Sequence, residues 1–173
     1  MKNSVSFICN LLFYKIVIKI WDGDEFADSP TLTEIAGAAP FTAVDVSRDQ
    51  AHFATSSGVI DYWDLTKADP VRTWQWGHDT FNRVRFNPVE TDLLAATVSD
   101  RSIVLYDCRA TTPIKKVTLQ MQSNGISWNP QQAMIFTVAN EDNNLYSFDL
   151  RNVRDELINR NYVFETGQSQ PRF

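Results

Sequence analysis

Reactive side chains are scarce in this chain. Its 173 residues hold two cysteines, Cys9 and Cys108, and two histidines, His52 and His78. Two scattered cysteines exclude a disulfide framework and a four-cysteine zinc site, and they fit a reducing, intracellular compartment. Two imidazoles leave little choice of base for an activated nucleophile. HExxH, GxSxG and GxxxxGK[ST] are all missing, so no enzyme, metal or cofactor is expected. Positive charge is not in excess either: 16 Lys plus Arg stand against 21 Asp plus Glu, a formal net charge of −5. Gripping a bare phosphate backbone takes clustered cations, which such a chain does not supply. Long apolar runs are also missing. Residues 1–14 carry Lys2 and then an apolar stretch, yet Asn10 interrupts it, Lys15 and Lys19 end it, and no small-x-small cleavage pattern follows. The stretch is shorter than the roughly 20 residues of a membrane helix. A buried strand or an atypical terminal segment is expected there, and no membrane partner.

What is present is ordinary globular material, 43% hydrophobic and 12% aromatic with five Trp. An aromatic–Asp pair recurs at Trp21–Asp22, Trp63–Asp64, Tyr106–Asp107 and Phe148–Asp149, with the aspartates 42, 43 and 42 residues apart. Two other markers keep the same phase. Asn87–Pro88 and Asn129–Pro130 place each proline 19 residues ahead of its aspartate, and Asp100 and Asp142 each precede theirs by seven. Within a period the pattern is β. RVRF alternates and stops at Asn-Pro, Leu93 to Val98 is an apolar run, Ile103 to Tyr106 a third strand and Lys116 to Leu119 a fourth. GISWNP, AMIFTVA and NLYSFDL repeat the order downstream; FTAVDV, HFATSS, VIDYWDL and VRTWQW set it upstream.

Four strands per period of about 40–45 residues mark a WD-repeat β-propeller blade. Gly77–His78, separated from Tyr106–Asp107 by 27 residues, supplies the other half of that signature once. The expected fold is therefore all-β, about three blades of a longer ring. Residues 15–151 form the blades, 1–14 an atypical N-terminal segment and 152–173 an atypical polar tail. About three blades do not close a ring. Either several chains complete one, or the chain is a fragment of a longer propeller, and the fragment is expected.

The stretches FATSSGVIDYWD (53–64), VRFNPVETDLLAATVSDRSIVLYDCR (84–109), TPIKKV (112–117), SWNP (127–130) and FTVANEDNNLYSFDLR (136–151) closely resemble one family. It is the nucleolar WD-repeat and SOF-domain-containing family of the small-subunit processome. The resemblance covers about Phe41 to Arg151, with Lys15 to Asp22 as the end of an earlier blade. It implies a non-enzymatic scaffold in the nucleus and nucleolus, acting in ribosome biogenesis and small-subunit rRNA processing. The implied partners are processome proteins of the U3 ribonucleoprotein, with pre-rRNA reached indirectly and no small-molecule substrate. Family members continue through a full propeller into a basic segment. Here Arg154, Arg160 and Arg172 balance Asp155, Glu156 and Glu165, so the tail is not basic.

Several residues carry individual expectations. Trp63, Asp64, Tyr106 and Phe148 are structural markers of the repeat, and His78 is expected to hydrogen-bond a turn aspartate, Asp100, as WD-repeat histidines do. Asp100 and Asp142 read as turn residues that accept local amides. His52 is expected at the surface with no acidic neighbour. Cys108 adjoins Arg109, which favours a thiolate, although a buried, inert thiol is the plainer reading. Asp107-Cys108-Arg109 and Asp149-Leu150-Arg151 place Arg two residues after the aspartate, where the other periods have Asp24 and Thr66. Such consecutive boxes resemble those of substrate receptors that dock on the adaptor of cullin-four ubiquitin ligases. Asp107, Arg109, Asp149 and Arg151 are thus candidate partner-docking residues, against the simpler expectation that each Arg pairs with a nearby Asp.

Overall fold

A computed structural model describes residues 5–12, 15–22, 33–36, 39–75, 77 and 79–151, with side chains from residue 39 onward. Strands β1 (Val5–Leu12), β2 (Lys15–Asp22) and β3 (Thr33–Ala36) form one antiparallel sheet. The second sheet runs β4 (Ala43–Val46), β5 (His52–Ser56), β6 (Val59–Asp64) and β7 (Arg72–Gln75). The third runs β8 (Phe81–Phe86), β9 (Leu93–Val98), β10 (Ser102–Asp107) and β11 (Pro113–Thr118). The fourth holds β12 (Ser123–Trp128), β13 (Ile135–Asn140) and β14 (Leu145–Asp149). Each sheet pairs its strands in chain order, and no helix occurs among the described residues. The chain is all-β, built as blades of a partial WD-repeat propeller.

Every aromatic–Asp pair ends a strand: Asp22 closes β2, the middle strand of its sheet, and Asp64, Asp107 and Asp149 close β6, β10 and β14, the third strands of theirs. Residues 5–12 are a strand, paired with β2 from Val5 opposite Asp22 to Leu12 opposite Lys15. The last strand of the third sheet begins earlier than the Lys116 expected from the sequence. Tyr106 at the end of β10 recruits Pro113, which an edge strand tolerates because one of its sides needs no amide. Two bulges share the repeat. Asn82 is the extra residue between Phe81 and Arg83 of β8, and Asn124, 42 residues on, is the extra residue between Ser123 and Gly125 of β12.

The two central strands of the third sheet, β9 and β10, are buried on both faces. Leu94, Ala96, Val98, Val104, Tyr106 and Cys108 pack on Ala54, Ile60, Tyr62 and Trp74 of the second sheet. From the opposite side Ala95, Ile103 and Leu105 pack on Ile126, Trp128, Phe136 and Val138 of the fourth. Strand alternation sends successive side chains to opposite neighbours. Polar groups stitch the same seams. Trp74 Nε1 donates to Ala110 O at 3.2 Å and Arg72 Nε to Cys108 O at 2.8 Å. Trp128 Nε1 donates to Arg85 O at 3.0 Å. Asp45 takes Phe86 N at 2.7 Å and Arg85 Nη1 at 3.1 Å, while burial pushes its carboxyl above the ordinary carboxylate value.

Because Leu105 is 1% exposed between two sheets, Leu105→Ala should cost about 2–5 kcal/mol through lost burial and a residual cavity. Ile114→Ala, at a side chain 57% exposed, should stay within about 0.5 kcal/mol. Urea unfolding of the two variants beside the wild type measures the contrast; equal losses would contradict the two-faced packing.

Candidate interaction rim

The third strands of successive sheets end in the same turn. Oδ1 of Asp64 accepts Thr66 N at 2.9 Å, Oδ1 of Asp107 accepts Arg109 N at 2.8 Å, and Oδ1 of Asp149 accepts Arg151 N at 3.0 Å. A carboxylate that takes the amide two residues on closes the chain locally and frees the next side chain. At Asp64 that side chain is Thr66, whose hydroxyl donates to the same oxygen at 2.7 Å, and Lys67 Nζ sits 3.1 Å from the other.

At the other two turns it is arginine, and each guanidinium folds back on its own carboxylate with two parallel bonds. Arg109 Nε and Nη2 reach Asp107 at 2.9 and 2.7 Å, and Arg151 Nε and Nη2 reach Asp149 at 2.9 and 2.6 Å. The expected local pairing is therefore present, and it leaves both arginines at the surface, 72% and 67% exposed. Arg109 Nη1 also lies 3.5 Å from Asp92 Oδ2. Asp92 immediately precedes Leu93, which lies opposite Asp107, so only strand register brings this second carboxylate to the rim. The Arg109 guanidinium and amide hold the Asp107 carboxyl down at about 2, Arg151 holds that of Asp149 below the ordinary value, and each arginine is raised by its carboxylate.

The remaining repeat markers do structural work. Trp63 is buried, and its Nε1 donates to Thr55 Oγ1 at 3.1 Å. Tyr106 replaces it in the next sheet, where Ala96 stands in for Thr55; the Tyr106 hydroxyl is buried without a partner among the described residues. Phe148, half-buried, stacks on Phe136. Asp100 accepts Ser102 N at 2.9 Å, the Ser102 hydroxyl, and Lys116 Nζ at 3.1 Å. Asp142 accepts Asn144 N at 3.0 Å and the Tyr146 hydroxyl. His78 lies outside the described residues, as does the 152–173 tail.

One expectation is corrected. His52 has an acidic neighbour: Asp49, three residues earlier, meets its Nδ1 at 2.7 Å and accepts the amides of Ala51 and His52. Burial raises the Asp49 carboxyl, but these bonds outweigh it and the net direction is downward. The far side of the imidazole stacks on Tyr62 at 5.2 Å. Cys108 is the buried thiol of the plainer expectation, not one activated by Arg109. It is 4% exposed, burial first and then Asp92 and Asp107 push it up to about 12, and Arg109 opposes them only weakly. A cavity of about 430 Å³ lined by Val46, Arg48, Phe86, Asn87, Pro88 and Pro130 had no sequence signal beyond the paired Asn-Pro steps. No cluster of three or more metal-ligating side chains occurs among the described residues.

No family model matches the chain. Curated relatives do. Over 84% of its length the chain is 44% identical to DDB1- and CUL4-associated factor 13 of Danio rerio, a match that covers 34% of that relative. Over 68% of its length it is 49% identical to the protein of the same name from Xenopus laevis, covering 26% of it. Over 70% of its length it is 43% identical to Protein SOF1 of Saccharomyces cerevisiae, covering 25% of it. The chain thus spans a quarter to a third of the length of these relatives.

Two predictions follow from the rim's electrostatics. Arg109→Ala should move the Asp107 carboxyl from about 2 toward the ordinary 3.8, read by carbon-13 NMR titration of the side chain. A depressed folded pKa means the pair supports folding above the unfolded value and loses that support as pH falls toward 2. Because the pair is solvated, its removal at neutral pH should change stability only slightly. Separately, in a Cys9→Ser variant the remaining thiol should resist a thiol-modifying dye at pH 8 until the chain is unfolded. Rapid labelling of the folded protein would contradict the burial of Cys108.

Proposed function

We propose that this chain is a WD-repeat portion of a protein in the same family as Protein SOF1 and DDB1- and CUL4-associated factor 13. Its role in this reading is that of a non-enzymatic scaffold of the small-subunit processome, acting in ribosome biogenesis and small-subunit rRNA processing in the nucleolus. The observation that carries the reading is the 43% identity with Protein SOF1 across 70% of the chain. The physical character of the molecule supports it. The second, third and fourth sheets pack apolar faces on one another, and loops and rims remain for partners, a surface suited to assembly. With a net charge of −5, association with pre-ribosomal particles runs through proteins of the U3 ribonucleoprotein rather than through bare RNA.

A second reading has its own observation. Arg109 and Arg151 are exposed, follow equivalent strand ends and are pre-ordered by their aspartates, and one set of relatives bears a name that records association with DDB1 and CUL4. Docking on the adaptor of a cullin-four ligase through Asp107, Arg109, Asp149 and Arg151 follows from that pairing. Planar guanidinium groups suit such a contact because they offer several fixed donors to carboxylates and carbonyls.

The tagged chain, recovered from nucleolar extract, should bring down U3 RNA and processome proteins; recovery of neither defeats the scaffold reading. The purified chain should bind bare RNA no tighter than micromolar, and a submicromolar, steeply salt-dependent affinity would contradict the protein-mediated route. Arg109→Ala with Arg151→Ala should weaken retention of the adaptor about 30-fold, the equivalent of about 2 kcal/mol for an interface arginine. If wild type and double variant retain it equally, the docking site is elsewhere.

A further inference from the structure

Beyond Arg109 the chain reads Ala110-Thr111-Thr112-Pro113-Ile114-Lys115, the connection from β10 into β11. Ala110 N donates to Asp107 O at 2.9 Å and completes the turn. The next four residues are all exposed, and neither threonine hydroxyl makes a hydrogen bond among the described residues. The strand they enter is the outer one of its sheet, paired only with β10 among the described residues. Its first residues are also lifted off the regular ladder. Leu105 lies opposite Lys115 while Tyr106 lies opposite Pro113, so Ile114 is the extra residue of a bulge. A bulge at a sheet edge loosens pairing and re-aims side chains, and the two threonines before the proline lie in a bend.

An exposed threonine in a bend, followed by proline and, three positions on, by a lysine, has the features of a kinase acceptor. Proline offers no amide hydrogen that an enzyme must satisfy, and Lys115, half-buried where β11 pairs with Leu105, brings a positive charge three positions on. We propose that Thr112 is a phosphoacceptor for a proline-directed protein kinase that selects a basic residue three positions downstream. In the transfer, Thr112 Oγ1 attacks the γ-phosphorus of ATP, the bond to the bridging oxygen breaks and ADP leaves, and the hydroxyl proton passes to the kinase's catalytic aspartate.

The product matters because of its surroundings. Arg109, three residues upstream, already faces both Asp107 and Asp92. A phosphate brings about −1.5 to −2 further charge and three strong acceptor oxygens, which compete with those carboxylates for the guanidinium. The modification would thereby reset the electrostatics of one rim position while leaving the buried seams untouched. This inference stands whether or not the rim docks a ligase adaptor.

The test treats the full chain with a purified kinase of that specificity and ATP, and locates the phosphate by tandem mass spectrometry. Phosphate is expected on Thr112, at an unchanged rate in Thr111→Ala and with none at that peptide in Thr112→Ala or in the near-isosteric Thr112→Val. Pro113→Ala and Lys115→Ala should each slow incorporation about tenfold or more, the scale set by losing one specificity contact. Incorporation on Thr111 or elsewhere without Thr112 overturns the proposal. So does the absence of incorporation into the folded wild type, or a rate indifferent to both Pro113→Ala and Lys115→Ala.

Discussion

The rest of the structure depends on the burial of one sheet on both faces. In the third sheet, alternate residues of β9 and β10 are apolar on either side, with Leu94, Ala96 and Tyr106 turned one way and Ala95, Ile103 and Leu105 the other. Such strands cannot meet water on either face, so the sheet requires two neighbours, and the second and fourth sheets supply them. The seams are aligned by polar groups as well as by area. A buried tryptophan brings a large apolar body and one N–H that must find an acceptor. Trp74 and Trp128 each find it in a backbone carbonyl of the adjoining sheet, which fixes the height of one sheet against the next. Asp45 works in the same way from β4, the first strand of its sheet, which like the other first strands lies inner to the seams, catching the Phe86 amide and Arg85 despite the cost of its burial.

With side-chain area committed to the seams, chemistry is left to the turns. Many of these turns are closed by an oxygen of the side chain that opens them. Asp64, Asp107 and Asp149 close the turns after the third strands, Asp100 and Asp142 those before them, and Asn87 and Asn129 those after the inner strands. The second sheet uses substitutes. Ser57 accepts Val59 N where its successors have aspartate, and Asp49 accepts Ala51 N near the place of the asparagines. What the repeat conserves is the acceptor; what varies is the residue two positions on. Thr66 merely completes a turn, whereas Arg109 and Arg151 put charge on the surface in a defined orientation, and that difference makes the rim the candidate for recognition.

Local pattern was enough for most of the strands. β9 runs from Leu93 to Val98 as its apolar run indicates, and the aromatic–Asp pairs end strands in all four sheets. The start of β11 was not legible, because Pro113 joins the ladder only by bulging Ile114 opposite Tyr106. The Asn82 and Asn124 bulges keep the 42-residue spacing, yet asparagine alone marks a turn as readily as a bulge. His52 and Asp49 lay close enough in sequence to be paired by eye. What the sequence does not display is the tight turn, with Gln50 at a φ of 58°, that brings Asp49 back onto the imidazole.

The sequence by itself determined the all-β class, the period and the place of each turn carboxylate, since these rest on short-range alternation and on side chains that bond their own neighbours. It also placed Arg109 and Arg151 at equivalent points of the repeat. Only the tertiary structure decided which way each side chain counts. Cys108 and Arg109 are adjacent, yet one is shut between sheets with its thiol pushed up and the other stands 72% exposed. Asp92 reaches Arg109 only because Leu93 lies opposite Asp107, and Asp45 reaches Phe86 only because two inner strands lie side by side. Burial and cross-strand register are properties of the assembled sheets, and residues 40 positions apart acquire a shared environment only when the sheets close on one another.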